Sequence, residues 1–372
     1  MHTNPFSDWT FDCMGRYLFV IPTLANGGAE RVVSVLSGAI SRNGHSVSVI
    51  KYYKCPEEYP IDTGVNVVNL SGGGREDYLK MSYWEKIRLL RYHLKHEAPT
   101  FVIPFLYTVS RAVSLATIGM NVNVLQTIRI DPASAPSSRL HRMIRDCLVS
   151  QSKCSFVQNE KQREYFHKCR DKVHVLFNPV SESLLGVRPS FENRLYTICA
   201  AGRLEKQKNF TLLIDSFCKA FSKDGEAVLK IYGDGSLKDY LTEYIFQLGR
   251  GDSIQLMGRT EHIEDAYKCS DLFVLSSDFE GMPNALIEAM ACGLPSISTD
   301  CPTGPSDLIE DGKNGLLVPM KDVNAMSLAI LSMHSDRDRA IEMGQNARET
   351  IRQKCNADAI AKKMIEICES IE

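Results

Sequence analysis

Short apolar runs recur along the chain, each closed by polar or glycine-rich residues and followed by a stretch with helical spacing. The first is Tyr17-Leu-Phe-Val-Ile-Pro22. The turn Asn26-Gly-Gly-Ala29 follows it, then a helical pattern over 31–40 and a second run at 47–53. Strand, turn, helix and strand at this length predict a βαβ unit. Runs at 101–106, 122–128, 154–157 and 173–177 continue the alternation. Asn178-Pro179 interrupts it, and the polar residues 181–194 read as a linker. Beyond the linker, apolar runs at 196–201, 228–232, 253–257, 271–276, 295–299 and 315–318 alternate with helical stretches at 210–221, 236–248, 261–267, 284–291 and 322–333. This regularity predicts a doubly wound parallel sheet. The expected fold is α/β: two Rossmann-like domains, 1–180 and 195–350, facing across a cleft. A helical tail from 337 ends in a helix over 351–372. Ligands of such sheets bind outside the carboxyl ends of the strands, so the cleft is the place to look for chemistry.

Composition alters this little. The 372 residues suit two domains, and 44% apolar with 24% charged residues is ordinary globular material. No window approaches the roughly 18 apolar residues that span a bilayer. Residues 1–15, with Asp8 and Asp12, lack a secretory pattern and read as a poorly ordered leader. The 12 cysteines are scattered, with no Cys-x-x-Cys pair and no zinc spacing, which points to reduced, buried thiols in a cytoplasmic protein. The net charge of −2 hides an imbalance: residues 1–180 carry 22 Lys and Arg against 15 Asp and Glu, residues 181–372 carry 21 against 30. A basic amino-terminal half suits an anionic partner, either a membrane surface or a phosphorylated acceptor, with no call for nucleic acid. The helical pattern over 80–95 is basic and aromatic, and Arg139, Arg142 and Arg145 add a second basic stretch. A membrane-surface or lipid-diphosphate role and plain packing on the sheet both fit these stretches.

The chemistry concentrates in Phe279-Glu280-Gly-Met-Pro-Asn-Ala-Leu-Ile-Glu288. Glu280 falls in the loop after an apolar strand. Pro283 suits the first turn of a helix, where its missing N–H costs nothing. The segment Gly281, Met282, Pro283 and Asn284 then offers backbone donors to hydroxyl or phosphate oxygens. Glu288, about one and a half turns into that helix, can turn a carboxylate back towards the cleft, where it could hold two vicinal hydroxyls.

In this setting the chain resembles the large retaining glycosyltransferase family of GT-B fold, whose signature is two glutamates separated by seven residues around Glu-Gly-x-Pro. The segments Gly202-Arg203-Leu204-Glu-Lys-Gln207-Lys208-Asn209, Tyr232-Gly-Asp-Gly235, Gly258-Arg259, Asp311-Gly-Lys-Asn-Gly-Leu-Leu-Val318 and Asn26-Gly-Gly-Ala-Glu-Arg31 fit the same family in order. The resemblance implies a nucleotide-sugar donor, with UDP its usual nucleotide. It implies that Arg203 and Lys208 hold the diphosphate in the place of a metal ion, with no cofactor. By the same resemblance Glu280 contacts the donor sugar, Glu288 the ribose, Arg259 and Thr260 the base, and Gly27 and Gly28 allow close approach of phosphate or acceptor. The expected acceptor is a glycan or a lipid-linked saccharide, reached from the cytoplasm or from the inner face of the cell membrane. The chain departs from the family at one point. After a central amino-domain strand, where a histidine usually meets the donor sugar, it has Arg129 and Asp131, either of which could take that contact. Two other readings fit the same residues: a nucleotide-sugar epimerase or hydrolase, and a non-catalytic nucleotide-sugar-binding subunit. A dehydrogenase does not fit, because neither half has Gly-x-Gly-x-x-Gly after its first strand.

Overall fold

The structure is a computed structural model that describes residues 15–25, 27–191, 195–222 and 225–371. All but the last residue of the expected leader lies outside these. In the amino-terminal half the sheet runs Val65–Asn69, Ser46–Lys51, Arg16–Ile21, Phe101–Pro104, Asn123–Val124 from edge to edge, all parallel. A smaller parallel sheet, Gln126–Thr127, Ser155–Val157 and Val173–Val175, stands beside it. The expected run over 122–128 is thus divided at Leu125 between two sheets. Burial follows the two-residue period of a strand. Tyr17, Phe19 and Ile21 pack with Val32, Val33 and Leu36 of the helix Gly28–Arg42. Leu18 and Val20 face the other way, onto Ile87, Leu90 and Leu94 of the helix Tyr83–Glu97. A strand covered on both faces must be apolar throughout, which is why these runs stand out in the sequence.

The helical pattern over 80–95 is the helix Tyr83–Glu97, and its first residue, Lys80, ends a shorter helix, Arg75–Lys80. Ser82 starts the second: its hydroxyl accepts from the Glu85 N–H at 3.3 Å, and the Glu85 carboxylate accepts from the Ser82 N–H at 2.7 Å. This reciprocal cap fixes a helix start inside what reads as one periodic stretch. In the second basic stretch, Arg145 is buried and turned inward, donating to the carbonyl of Pro132 at 2.8 Å and to Asp146.

The carboxy-terminal sheet runs Ile254–Gly258, Ala227–Tyr232, Tyr196–Ala201, Leu272–Leu275, Ser296–Thr299, Leu316–Val318, again all parallel. In chain order this is 3-2-1-4-5-6, the doubly wound order in which the strand sequence reverses beside the first strand. The loops 202–209 and 276–283 leave the sheet at that reversal.

The chain crosses between the halves twice. At the first crossing the Val180 N–H donates to the Cys355 carbonyl at 2.9 Å, and Val180 bridges Asn356 at the second. The expected linker carries a short helix, Glu182–Gly186, with Leu184 and Leu185 buried, while residues 192–194 lie outside the described ones. The helix Arg337–Lys354 rests on the carboxy-terminal half through Ala347 and Ile351. Asn356 then caps a new helix, Ala357–Glu369, which returns to the amino-terminal half and sinks Ile360, Ala361, Met364 and Cys368 into its core. Residues 351–354 therefore complete the earlier helix rather than begin the last one. Cys199 and Cys355 are buried, and burial pushes their thiols up to about 12. No described helix is long and apolar enough to cross a membrane.

Candidate active site

Three strand-end loops are laced together at the strand reversal. Gly202 N–H donates to the Tyr232 carbonyl at 2.9 Å, Leu204 N–H to Asp234 at 3.0 Å and Gly233 N–H to Gly258 at 2.8 Å. Gly233 has φ +142°, and a Cβ there would stand 1.9 Å from the Gly202 carbonyl oxygen. This lacing leaves Arg203 exposed at the mouth of the cleft. Further along, the Gln207 side-chain amide donates to the Phe279 carbonyl at 2.8 Å. The Asp278 N–H donates to Gln207 at 2.9 Å, and the Asn209 amide to the Asp278 carboxylate at 3.0 Å. The two loops are thereby held edge to edge. Lys208 Nζ then meets Glu280 Oε1 at 2.6 Å, and the Ser277 hydroxyl donates to the same oxygen at 2.6 Å. Glu280 is 6% exposed. A carboxylate this deep needs a paired cation and further donors, and it has both.

The helix begins at Asn284, as its spacing predicts, with Pro283 as its cap rather than inside the first turn. Its carbonyl accepts the Leu286 and Ile287 N–H groups, both at 3.1 Å. The Gly281 and Met282 amides have no acceptor among the described residues, while the Met282 side chain is core. Met282 can therefore offer a ligand only its backbone. On this helix Glu288 is buried: Oε1 pairs with Arg31 at 3.0 Å and Oε2 accepts from the Tyr267 hydroxyl at 3.2 Å. Burial raises the Glu288 carboxyl above its ordinary range, and the Arg31 charge and the Tyr267 hydrogen bond only partly offset it.

Arg31 belongs to the other half, and further contacts close the cleft around it. The Asn284 amide donates to the Gly28 carbonyl at 2.7 Å, and a Cβ on Gly28 would lie 2.8 Å from that nitrogen. Asn178 donates to Asn284 Oδ1 at 2.5 Å and to the Met282 carbonyl at 3.3 Å, and Asn159 to the Gly281 carbonyl at 3.3 Å. A Cβ on Gly281 would meet the Arg129 carbonyl oxygen at 2.6 Å and Gln158 Oε1 at 2.4 Å. A Cβ on Gly27 would strike the Glu30 carboxylate at 2.0 Å. The close approaches that these glycines allow are thus made by protein groups. Burial raises the Glu30 carboxyl, and the Arg203 charge across the cleft counts among the smaller opposing effects.

Of the two candidates in the histidine's place, Asp131 turns into its own loop, accepting the Ala133 N–H at 3.1 Å. Arg129 donates to Asn178 Oδ1 at 2.8 Å and lies 4.5 Å over the Phe105 ring. Its Nε has no partner, and burial lowers the guanidinium to about 9. Arg259 and Thr260 stand apart from this cluster, exposed at the far edge of the sheet. Arg259 lies 3.9 Å from Asp234, and the Thr260 hydroxyl accepts from the His262 N–H at 3.1 Å. Sequence reasoning did not single out Glu30, Arg31, Asn178 or Tyr267. Arg31 lies within the quoted Gly-Gly-Ala-Glu-Arg run, and Asn178 was visible only as a break in periodicity. No group of three or more His, Cys, Asp or Glu that could hold a metal ion occurs among the described residues.

Residues 188–350 match the family model described as Glycosyl transferases group 1. Over 342 residues, 90% of this chain and 93% of the relative, the chain is 28% identical to an N-acetylgalactosaminyltransferase of Campylobacter jejuni. That relative's name gives its acceptor as a GalNAc-containing saccharide on diphospho-undecaprenol. Sucrose-phosphate synthase from Thermosynechococcus elongatus superposes with a TM-score of 0.82 at 17% identity, covering 96% of this chain and 99% of that one. The HepE protein of Anabaena, solved with UDP and glucose, does so with a TM-score of 0.79 at 16% identity, over 95% and 99%. The chain is a glycosyltransferase of GT-B fold. Its carboxy-terminal half is the part that matches the group 1 model.

Proposed function

We propose that the enzyme transfers a hexose or N-acetylhexosamine from a nucleoside diphosphate sugar, with uracil as the base, to a glycan or lipid-linked saccharide, retaining the anomeric configuration and using no metal ion. The observation that carries this reading is the buried Lys208–Glu280 pair at the strand reversal, with Arg203 at the mouth beside it. Arg203 and Lys208 bind the diphosphate and offset the charge that grows on it as the sugar departs. Glu280 and the Gly281 and Met282 amides hold the sugar. Arg129 reaches it from the other half. Glu288 takes the ribose hydroxyls, exchanging Arg31 or Tyr267 for them. The bond from the anomeric carbon to the diphosphate breaks as the bond to the acceptor oxygen forms on the same face. The acceptor's proton passes to the departing diphosphate, so no protein base is required. The Campylobacter relative's diphospho-undecaprenol acceptor supports a lipid-linked acceptor here, met at the cytoplasmic face of the cell membrane. The basic amino-terminal half fits an anionic membrane surface there.

The test is nucleotide release from a panel of nucleotide-sugars by the purified protein, first without and then with lipid-linked acceptors. Slow release from one donor, accelerated by an acceptor and lost in Glu280→Ala and Arg203→Ala, is expected. Fast turnover without acceptor would point to a hydrolase or epimerase. No turnover and no nucleotide binding across the panel would remove the donor site.

A further inference from the structure

A cavity of about 330 Å3 lies between the carboxyl ends of the amino-terminal strands and the helices Arg75–Lys80 and Tyr83–Glu97. That is within the range of small-ligand sites, roughly 300–1,000 Å3. Pro22, Tyr52 and Leu70, which line it, are the residues at which Arg16–Ile21, Ser46–Lys51 and Val65–Asn69 run out. It therefore opens at the same end of the sheet as Gly27 and Gly28. Tyr52 is 7% exposed and its ring stacks on Tyr78 at 5.1 Å, yet its hydroxyl has no hydrogen-bond partner. Buried hydroxyls are almost always bonded, so this one is poised for a ligand oxygen. Two cations, Arg75 and Lys86, line the cavity; Lys86 Nζ sits 4.2 Å from the Tyr78 ring centroid. Neither is in an ion pair among the described residues. Most of the remaining wall is apolar, with Leu79, Ile87 and Leu90 beside Tyr83, and Thr108 adds a hydroxyl. Leu79 and Tyr83 are also exposed at the rim, and Trp84 beside them is 71% exposed, so the apolar wall continues onto the surface.

Two unpaired cations disfavour a neutral saccharide, and an apolar wall running out to solvent disfavours a free phosphate. We propose that this cavity receives the phosphate and adjoining hydrocarbon of a lipid-phosphate-linked saccharide acceptor. Arg75, Lys86 and the Tyr52 hydroxyl take the phosphate oxygens; Leu79, Tyr83 and Ile87 take the chain, which leaves past Trp84. The proposal rests on the transfer reading above and specifies which part of the acceptor is held, and where. The saccharide end then faces the cleft.

Calorimetry with dodecyl phosphate on the full chain tests it, with inorganic phosphate and dodecyl maltoside as controls and UDP as the probe of the donor site. Dodecyl phosphate should bind the wild type more tightly than either control. Lys86→Gln and Arg75→Gln should each weaken it about tenfold, and the isosteric Tyr52→Phe by a smaller factor, with UDP affinity the same in all. Equal binding by the wild type and the Lys86 and Arg75 variants, or equal binding of either control, would overturn the proposal while leaving the donor site intact. Failure of the wild type to bind UDP or any other nucleotide would instead overturn the transfer reading, and the acceptor assignment with it.

Discussion

Glu280 and Glu288 are both buried, each among different partners. Glu280 has an ammonium and a hydroxyl on one oxygen. Removing its carboxylate leaves Lys208 desolvated and alone, which for buried pairs costs about 3–5 kcal/mol. Glu280→Ala should therefore lower the unfolding midpoint as well as cut transfer at least roughly a hundredfold. Kinetics and thermal melting of one preparation check both, and a stable variant with full activity would contradict the role. Glu288 is held less securely, since burial raises its carboxyl against Arg31 and Tyr267. A raised carboxyl takes up its proton at a higher pH than an ordinary glutamate, and once protonated it accepts poorly from ribose hydroxyls. UDP affinity should fall as pH is lowered, beginning above the usual carboxylate range. In Glu288→Gln this pH dependence should vanish, and its persistence in that variant would assign it elsewhere.

At the scale of elements, the loops matter more than the strands they follow. Gly233 meets the Gly202 carbonyl at a φ that side chains rarely adopt. Gly233→Ala is expected to destabilise the protein by at least about 2 kcal/mol and to weaken donor binding by displacing Arg203; chemical denaturation and calorimetry read the two effects. Most strands and helices were legible because parallel strands covered on both faces are continuously apolar. The edge strand Val65–Asn69 was not, since Asn66 and Val67 are exposed and Val-Asn-Val-Val-Asn has no clear period. The loop pairing of 202–209 with 276–283 was legible only through the family resemblance. The Arg31–Glu288 and Asn178–Asn284 contacts were not legible at all, because nothing in spacing relates residues of opposite halves.

At the scale of the molecule, the halves share more than a cleft. Gly28, Asn284, Asn178, Arg31 and Glu288 form one interdomain seam. Gly28→Ala should hold that seam apart. The expected result is a raised donor KM with little change in the unfolding midpoint, whereas an unchanged KM would mean that the seam does not govern donor binding. The helix Ala357–Glu369 contributes differently, as part of the amino-terminal core. Met364→Ala should cost about 2–5 kcal/mol in denaturant unfolding, although Met364 touches neither loop of the site.

That returning helix also bears on how the protein is made. The amino-terminal half leaves the ribosome before the carboxy-terminal one, but its core lacks Ile360, Met364 and Cys368 until the helix Ala357–Glu369 has been synthesised. The carboxy-terminal half has its full complement of strands well before that. The first half to be translated is thus the second to be completed. Until then the helix Gly28–Arg42 carries an uncovered apolar strip, the kind of transient surface that chaperones shield.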